Sequence, residues 1–220
     1  MLLVDHPDGK VAVAQPAHAW ISGQLAQAWG NERFGALEPS WEVCLAAEQH
    51  DIPWLEWERE PAIDPKTGYP HTFMSLDMPT KLAMWANGPD LLLAQSRYAA
   101  LLVSLHGSHL YRELDRSAFE KEIRATLDAT DDEIDRNRRL IWAWDSMSLA
   151  LLLGWRPWTA EGVPSSDGPV DVDLAADGTV RPWPFAHERV EVHCEGRLLT
   201  APGAALEDAP WVELTYELIQ

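Results

Sequence analysis

The sequence predicts a mainly α-helical domain to which the two ends of the chain add a small antiparallel β element, so that the protein is α+β overall. Three observations support this prediction. Apolar residues recur at helical spacing from residue 16 to residue 159. After Pro164 the pattern changes to alternating apolar and polar residues interrupted by glycine-containing turns. The first 15 residues form two short apolar runs around His6–Gly9, whose proline and glycine are typical of a hairpin turn.

These patterns divide the chain into three segments. Residues 1–15 are predicted to form an N-terminal β-hairpin and residues 16–159 a helical domain. Residues 165–220 are predicted to form a β element that packs on the same domain. Because chain ends often lie close together, the N-terminal hairpin could join the C-terminal sheet.

Start and stop signals define the predicted helices. The first helix follows Pro16 and ends at Gly30. Ser40 caps the second helix, which stops before Pro53. Negative charge at residues 131–133 favours the start of the last helix, because it complements the helix dipole. Other helices are expected from Pro79, Pro89 and Ser117, and strands at Val170–Leu174, Thr179–Phe185, Val190–Cys194, Arg197–Thr200 and Trp211–Leu218.

A segment rich in proline, from Ile52 to Met78, separates the second helix from the third. Long loops in compact domains often cover a site, so this segment is predicted to be a lid. Arg59 and Lys66 are its candidates for binding a phosphate group, and ordinary solvent exposure is the alternative. Trp54 and Trp57 are candidates for stacking on a base or sugar, and packing of the loop is the alternative.

Composition excludes several classes of partner. With 17 Lys and Arg against 35 Asp and Glu, the net charge is -18. Binding to nucleic acid or to an anionic membrane surface depends on basic residues, so neither is expected. The chain has no apolar run long enough to cross a bilayer, and its N-terminus lacks the basic and apolar regions of a signal peptide. Its two cysteines form no CxxC motif. We expect a cytoplasmic protein, and the oligomeric state stays open.

Five polar residues fall where the helical pattern predicts core. A buried ionisable group is costly without a partner. Imidazole and carboxylate groups together are typical ligands of first-row transition metals, which makes a metal site one explanation. A surface or capping role is the alternative for His18, and a backbone hydrogen bond within the core is the alternative for His106. Pairing with Arg138 is the alternative for Asp145. The His-Asp dipeptide by itself also occurs by chance in many chains. The five residues are His18, His50, Asp51, His106 and Asp145.

His109 extends this set. It follows His106 by one short helical turn, so both could face one cavity. Gly107 lies between them and could end the helix, which would separate the two side chains.

The order His … His-Asp … His … Asp, over residues 17–155, resembles the HD superfamily of metal-dependent phosphohydrolases. The resemblance implies an HD-like helical bundle in which His18, His50, Asp51 and Asp145 bind a first metal ion. It further implies a second ion at His106 and His109, bridged by Asp51, and gives Asp51, His106 and His109 catalytic roles. Pro53 departs from the HD pattern, which often has glycine shortly after the His-Asp pair. A closer resemblance, to an uncharacterised prokaryotic family, rests on QPAHAWISGQLAQAWG, AAEQHDIPWLEWE, GYPHTF, YAALLVSLHGSHL and WAWDSMSLALLLGW.

The HD resemblance implies a metal-dependent hydrolase that attacks a small phosphate ester or nucleotide with metal-activated water. An HD-fold di-iron oxygenase and a non-catalytic metal-binding or sensory module are the alternatives. The cofactor would be one or two divalent transition ions, and the residues do not distinguish Fe, Mn, Zn, Ni and Co. The expected partner is a small, phosphorylated substrate.

Overall fold

The computed structural model describes residues 1–220 as an α+β protein. The helices are α1 (Gln15–Ala28), α2 (Ser40–Gln49), α3 (Leu55–Glu58), α4 (Met78–Asn87), α5 (Arg97–Leu110), α6 (Ser117–Arg124) and α7 (Asp131–Leu152). The strands are β1 (Leu2–His6), β2 (Gly9–Val13), β3 (Trp158–Val163), β4 (Val170–Leu174), β5 (Val180–Arg181), β6 (Arg189–Leu199) and β7 (Trp211–Ile219). Two 3-10 helices, Ile52–Trp54 and Gly88–Ala94, precede α3 and α5.

The prediction of a mainly α-helical, HD-like bundle is wrong. The strands form two antiparallel sheets, one ordered β1-β2-β6-β7 and the other β3-β4-β5. The second sheet begins with β3, where no strand was predicted: residues 158–159 lay at the end of the predicted helical domain and residues 160–163 lay between the predicted segments. The alternating pattern of β3 is short and is interrupted near Gly162, where its pairing with β4 shifts register, so no clear strand signal is present there.

The N-terminal hairpin does join the C-terminal strands. β1 and β2 pair from Leu2 opposite Val13 to His6 opposite Gly9. β2 then pairs with β6, with Lys10 opposite Leu199. The first and last segments of the chain therefore belong to one sheet.

Gly196 was predicted to form a turn between two strands, but β6 runs through it without interruption. A Cβ atom at this position would lie 2.5 Å from Cγ1 of Val11 and 2.8 Å from the carbonyl oxygen of Ala12. Glycine is therefore needed because β2 passes close to β6, and not because the chain reverses.

Two other predicted elements differ in extent. The strand expected over Thr179–Phe185 stops at Arg181, because Pro182 and Pro184 have no backbone N–H to donate to a neighbouring strand. The segment expected to be a loop after Asp51 contains a 3-10 turn and α3 before its irregular part begins.

One continuous apolar core joins the helices to both sheets. α1 packs on α2, α7 and β6, and α5 packs on α2 and α7. α7 also contacts β3. This packing directs the inner faces of α1, α2, α5 and α7 toward one another. None of the helices combines the length and the apolar character that crossing a bilayer requires.

Candidate metal centre

The five polar residues that the sequence placed in the helical core come together in the structure. α1 carries His18, α5 carries His106 and α7 carries Asp145. His50 caps the C-terminus of α2 with backbone angles that are still helical, and Asp51 turns away with φ -103° and ψ 17°. This change of backbone direction lets two consecutive side chains reach the same point. All five are buried, and the most exposed, Asp145, is only 6% exposed.

Four ligand-type atoms lie close together. Nε2 of His18 lies 3.0 Å from Oδ2 of Asp51 and 3.2 Å from Nε2 of His50. Oδ1 of Asp145 is 3.4 Å from both of these imidazole nitrogens. Nε2 of His50 is 3.7 Å from Oδ2 of Asp51. Ligand atoms that share an ion at about 2.1 Å lie roughly 3.0–3.5 Å apart in octahedral or tetrahedral geometry, so most of these separations match a coordination sphere.

Hydrogen bonding fixes which nitrogen of His50 faces the other three ligand-type atoms. Its Nδ1 lies 2.8 Å from the carbonyl oxygen of Ala47, which can only accept, so Nδ1 carries a hydrogen. In the neutral ring the lone pair is then on Nε2, which points at His18 and at the two carboxylates. Several lone pairs therefore converge in a buried site, and a cation is needed there to offset their repulsion.

In the metal-free protein a proton can supply this positive charge. Burial by itself lowers the pKa of His50, but the negative charges of Asp51 and Asp145 outweigh this effect and raise the pKa to about 9. Burial opposes the charge on Asp145, but the hydrogen bond and charge of His50 hold the pKa of that carboxyl well below its usual range. A metal ion would replace the proton, because histidine binds metals in its neutral form.

His106 lies on the other side of Asp145. Its Nε2 is 3.6 Å from Oδ2 of Asp145 and has no hydrogen-bond partner, although it is buried. Burial lowers the pKa of His106 to about 4, so the ring is neutral near pH 7. Trp85 and Trp142 flank the ring at centroid distances of 6.0 and 5.9 Å. A buried nitrogen without a partner indicates an absent water, ion or ligand.

The residues present thus fit a metal ion. Two groups of three have their ligand atoms within 4.8 Å of one another: His18, His50 and Asp51, and His50, His106 and Asp145. Mixed imidazole and carboxylate ligands suit first-row divalent ions.

The structure tests whether Arg138 pairs with Asp145 and whether Gly107 ends the helix before His109. Arg138 pairs with Asp135 at 2.8 Å, so it does not neutralise Asp145. α5 continues through Gly107, but His109 is exposed and lies edge-on to Trp142 at 4.7 Å. The structure leaves His109 outside the group around Asp145.

The expected substrate residues lie elsewhere. Trp54 is buried and packs edge-on against Trp57 at 6.2 Å. Arg59 is exposed, lies 3.4 Å from the carboxylate of Glu56, and lines a cavity of about 690 Å³. Lys66 is exposed as well. The structure does not place these four side chains in the group of histidines and aspartates.

The segment predicted to be a lid contacts both ends of the chain. Phe73 N–H donates to the carbonyl of Met1, and Gly203 N–H donates to the carbonyl of Gly68. Glu58 accepts from Gln15 N–H at the start of α1. Coverage of the candidate centre by this segment stays a prediction.

Sequence reasoning missed several residues around the centre. Ser148 and Ser22 are fully buried beside His18, and Trp85 packs against His106. Tyr111 is half-buried, and burial and the charges of Asp51 and Asp145 raise its pKa. Ser148 had a detectable signal, since it is a polar residue one turn from Asp145 in an apolar part of α7.

Fold and site together define an α+β protein with a buried histidine–aspartate group that can hold a metal ion. The family described as "Protein of unknown function (DUF3891)" matches residues 1–201, and the chain belongs to that family. This confirms the resemblance to an uncharacterised family. No curated protein and no solved structure matches the chain. The only support for the HD resemblance is the histidine–aspartate group, since the fold is not the helical bundle that it implied.

Proposed function

We propose that this protein is a metal-dependent hydrolase of small phosphate esters. The observation that carries the proposal is the arrangement around Asp145. Its Oδ1 faces His18 and His50, while its Oδ2 faces the unpartnered Nε2 of His106. One carboxylate thus connects a metal-ligand set to a free neutral base.

In this proposal His18, His50, Asp51 and Asp145 hold one divalent transition ion. When bound, such an ion lowers the pKa of water and polarises a phosphoryl oxygen. His106 accepts a proton from the attacking water at Nε2, because its ring is neutral and that nitrogen has no other partner. The water oxygen forms the new bond to phosphorus, the P–O bond to the alcohol breaks, and the proton taken up by His106 passes to the alkoxide oxygen that leaves.

A single ion is favoured over two. His50 belongs to both groups of three, and because its Nδ1 is bonded to Ala47, it has only the lone pair of Nε2 to offer to one ion. The HD-fold di-iron oxygenase needs two ions, so this sharing counts against it. If a second ion were bound, Asp145 would be the bridge, because its two oxygens face different histidines. The resemblance had given that role to Asp51.

The side of the centre near Trp142 is the proposed approach for substrate. Trp142 is partly exposed and contacts both buried His106 and exposed His109. Burial and the nearby charges of Arg138 and Arg112 lower the pKa of His109, and of these two cations Arg138 is already paired with Asp135. In a chain of net charge -18, such a region is suited to an anionic group.

A non-catalytic metal-binding module is the second candidate. It is favoured by the burial of the ligands, none of which is more than 6% exposed. Closed metal sites are typically structural, whereas catalytic sites keep an open position for water or substrate.

Metal analysis and a substrate panel separate these functions. The purified protein is analysed for bound metal and then assayed with p-nitrophenyl phosphate and nucleoside monophosphates. We expect about one ion per chain and metal-dependent hydrolysis. His106→Gln should lower kcat by about 100-fold or more without loss of metal, since general-base catalysis contributes that much. His187→Gln, at an exposed histidine remote from the ligand set, is the control.

Other results would contradict the proposal. Stoichiometric metal with no hydrolysis of any ester would favour the non-catalytic module. Two iron ions per chain with oxygen consumption would favour the oxygenase. Full activity of His106→Gln would show that His106 is not the general base.

A further inference from the structure

The buried hydroxyl of Ser148 connects two of the proposed ligands. Its Oγ lies 2.7 Å from Nδ1 of His18 on α1. It also donates to the backbone carbonyl of Asp145, 2.8 Å away on its own helix. Ser22, also on α1, donates to Ser148 Oγ at 3.1 Å. Both serine side chains are fully buried, so water does not compete for these bonds.

The bonds around Ser148 assign a tautomer to His18. Ser148 has one hydrogen, which the carbonyl of Asp145 accepts, and its oxygen accepts from Ser22. With that hydrogen placed, the Ser148 oxygen accepts from His18 as well, which assigns the hydrogen of the neutral ring to Nδ1. In the neutral ring, Nε2 keeps its lone pair, and Nε2 is the nitrogen that faces Asp51, His50 and Asp145.

Comparison with Ser146 shows which side-chain contact is specific to Ser148. It is a buried serine on the same helix, and its Oγ donates to the carbonyl of Ala143 at 2.9 Å. Ser148 makes the equivalent bond three residues back along α7. The two serines thus share their helical context, but only Ser148 contacts a proposed ligand through its side chain.

We propose that Ser148 is a positioning residue that selects Nε2 of His18 as the metal-binding nitrogen and holds α1 and α7 at the separation the ion needs. This inference rests on the proposed metal centre. Partners that orient metal-bound histidines usually contribute about 10- to 100-fold to metal affinity.

Zn²⁺ is the probe, because it is diamagnetic and suits these ligands. Its affinity is measured by competition with a chelator for the wild type and for Ser148→Ala, Ser146→Ala and Asp145→Asn. The ¹⁵N shifts of His18 are recorded for the Zn²⁺-bound wild type. We expect Ser148→Ala to bind Zn²⁺ about 10- to 100-fold more weakly and Ser146→Ala to stay within about twofold of the wild type. The shifts should show hydrogen on Nδ1 and metal on Nε2.

The inference fails if Ser148→Ala binds Zn²⁺ as tightly as Ser146→Ala does. It also fails if wild-type His18 binds Zn²⁺ through Nδ1, a result that does not depend on folding of any variant. If Asp145→Asn keeps wild-type affinity, the metal centre itself is wrong. If Asp145→Asn loses affinity and Ser148→Ala does not, only the role of Ser148 is wrong.

Discussion

Two buried polar groups meet at α5, one around Arg116 through its contact with Ser104 and the other around His106, and their hydrogen bonds are satisfied in different ways. Arg116 is buried and donates to the carbonyl of Ala86, to the carboxylate of Asp90 and to Ser104 Oγ. Its guanidinium also lies 4.1 Å from the ring centroid of Phe119. Two residues after Ser104, His106 has a buried Nε2 with no partner.

The difference separates a structural group from a ligand site. The donors of Arg116 meet acceptors that the chain supplies, so that group is complete. Around Asp145, acceptors converge and the chain supplies no permanent cation to meet them. Burial of polar groups is common to both regions, and only the unmet bonding capacity points to an external partner.

The largest expected loss of stability comes from breaking the complete group. Arg116→Ala removes three hydrogen bonds of a buried guanidinium and should lower the free energy of unfolding by about 3 kcal/mol, since such bonds contribute about 1.5–3 kcal/mol each and the one to the 41% exposed Asp90 contributes least. Chemical denaturation with and without Zn²⁺ measures the loss, which should be the same in both. A loss seen only with Zn²⁺ would mean that the group around Arg116 and the group around His106 are not independent.

Asp145→Asn should remove the contribution of the metal. An ion that binds only the native state stabilises it by about 2.7 kcal/mol at a free concentration of 100 Kd. We expect that increment in the wild type and little of it in the variant, with the helical signal unchanged. Thermal melts over a Zn²⁺ titration test this. An equal increment in both proteins would show that Asp145 does not bind the ion.

Gly107→Ala should have a smaller effect through packing. A Cβ at this position would lie 2.2 Å from Cε3 of Trp85, so the indole must move. Overpacking of this kind costs about 1–3 kcal/mol. Because Trp85 packs against His106, we also expect weaker hydrolysis in the variant. Denaturation and kcat are measured together. Stability equal to that of the wild type would mean that the Trp85 indole can shift without loss of packing.

Arg59→Ala should have the smallest effect. Arg59 is exposed and its pair with Glu56 is at the surface, where such pairs contribute about 0–1 kcal/mol. The cavity it lines also contains Glu60, Glu195 and Glu207, which disfavour a phosphate group. We therefore expect unchanged KM for p-nitrophenyl phosphate. A raised KM would instead indicate that the long segment after Asp51 contributes to substrate binding.

Local patterns were sufficient for much of this protein. The end of α2 at the His-Asp pair follows from Pro53, and the start of α7 follows from its acidic first turn, where Thr130 and Glu133 form a capping box. The five polar residues of the centre were identified because they interrupt apolar helical faces. Periodicity and capping are local, so one sequence is enough to recognise them.

Other features depended on contacts between distant segments. Gly196 was predicted to lie in a turn. Glycine is required there because Val11, on a different strand, leaves no room for a Cβ atom. His109 looked like a partner of His106, but the packing of α5 against Trp142 directs it to the surface. Ser148 contacts His18 although 130 residues separate them. The sequence by itself determined which residues could bind a metal, whereas the tertiary structure decided which of them converge, because convergence depends on how the helices pack.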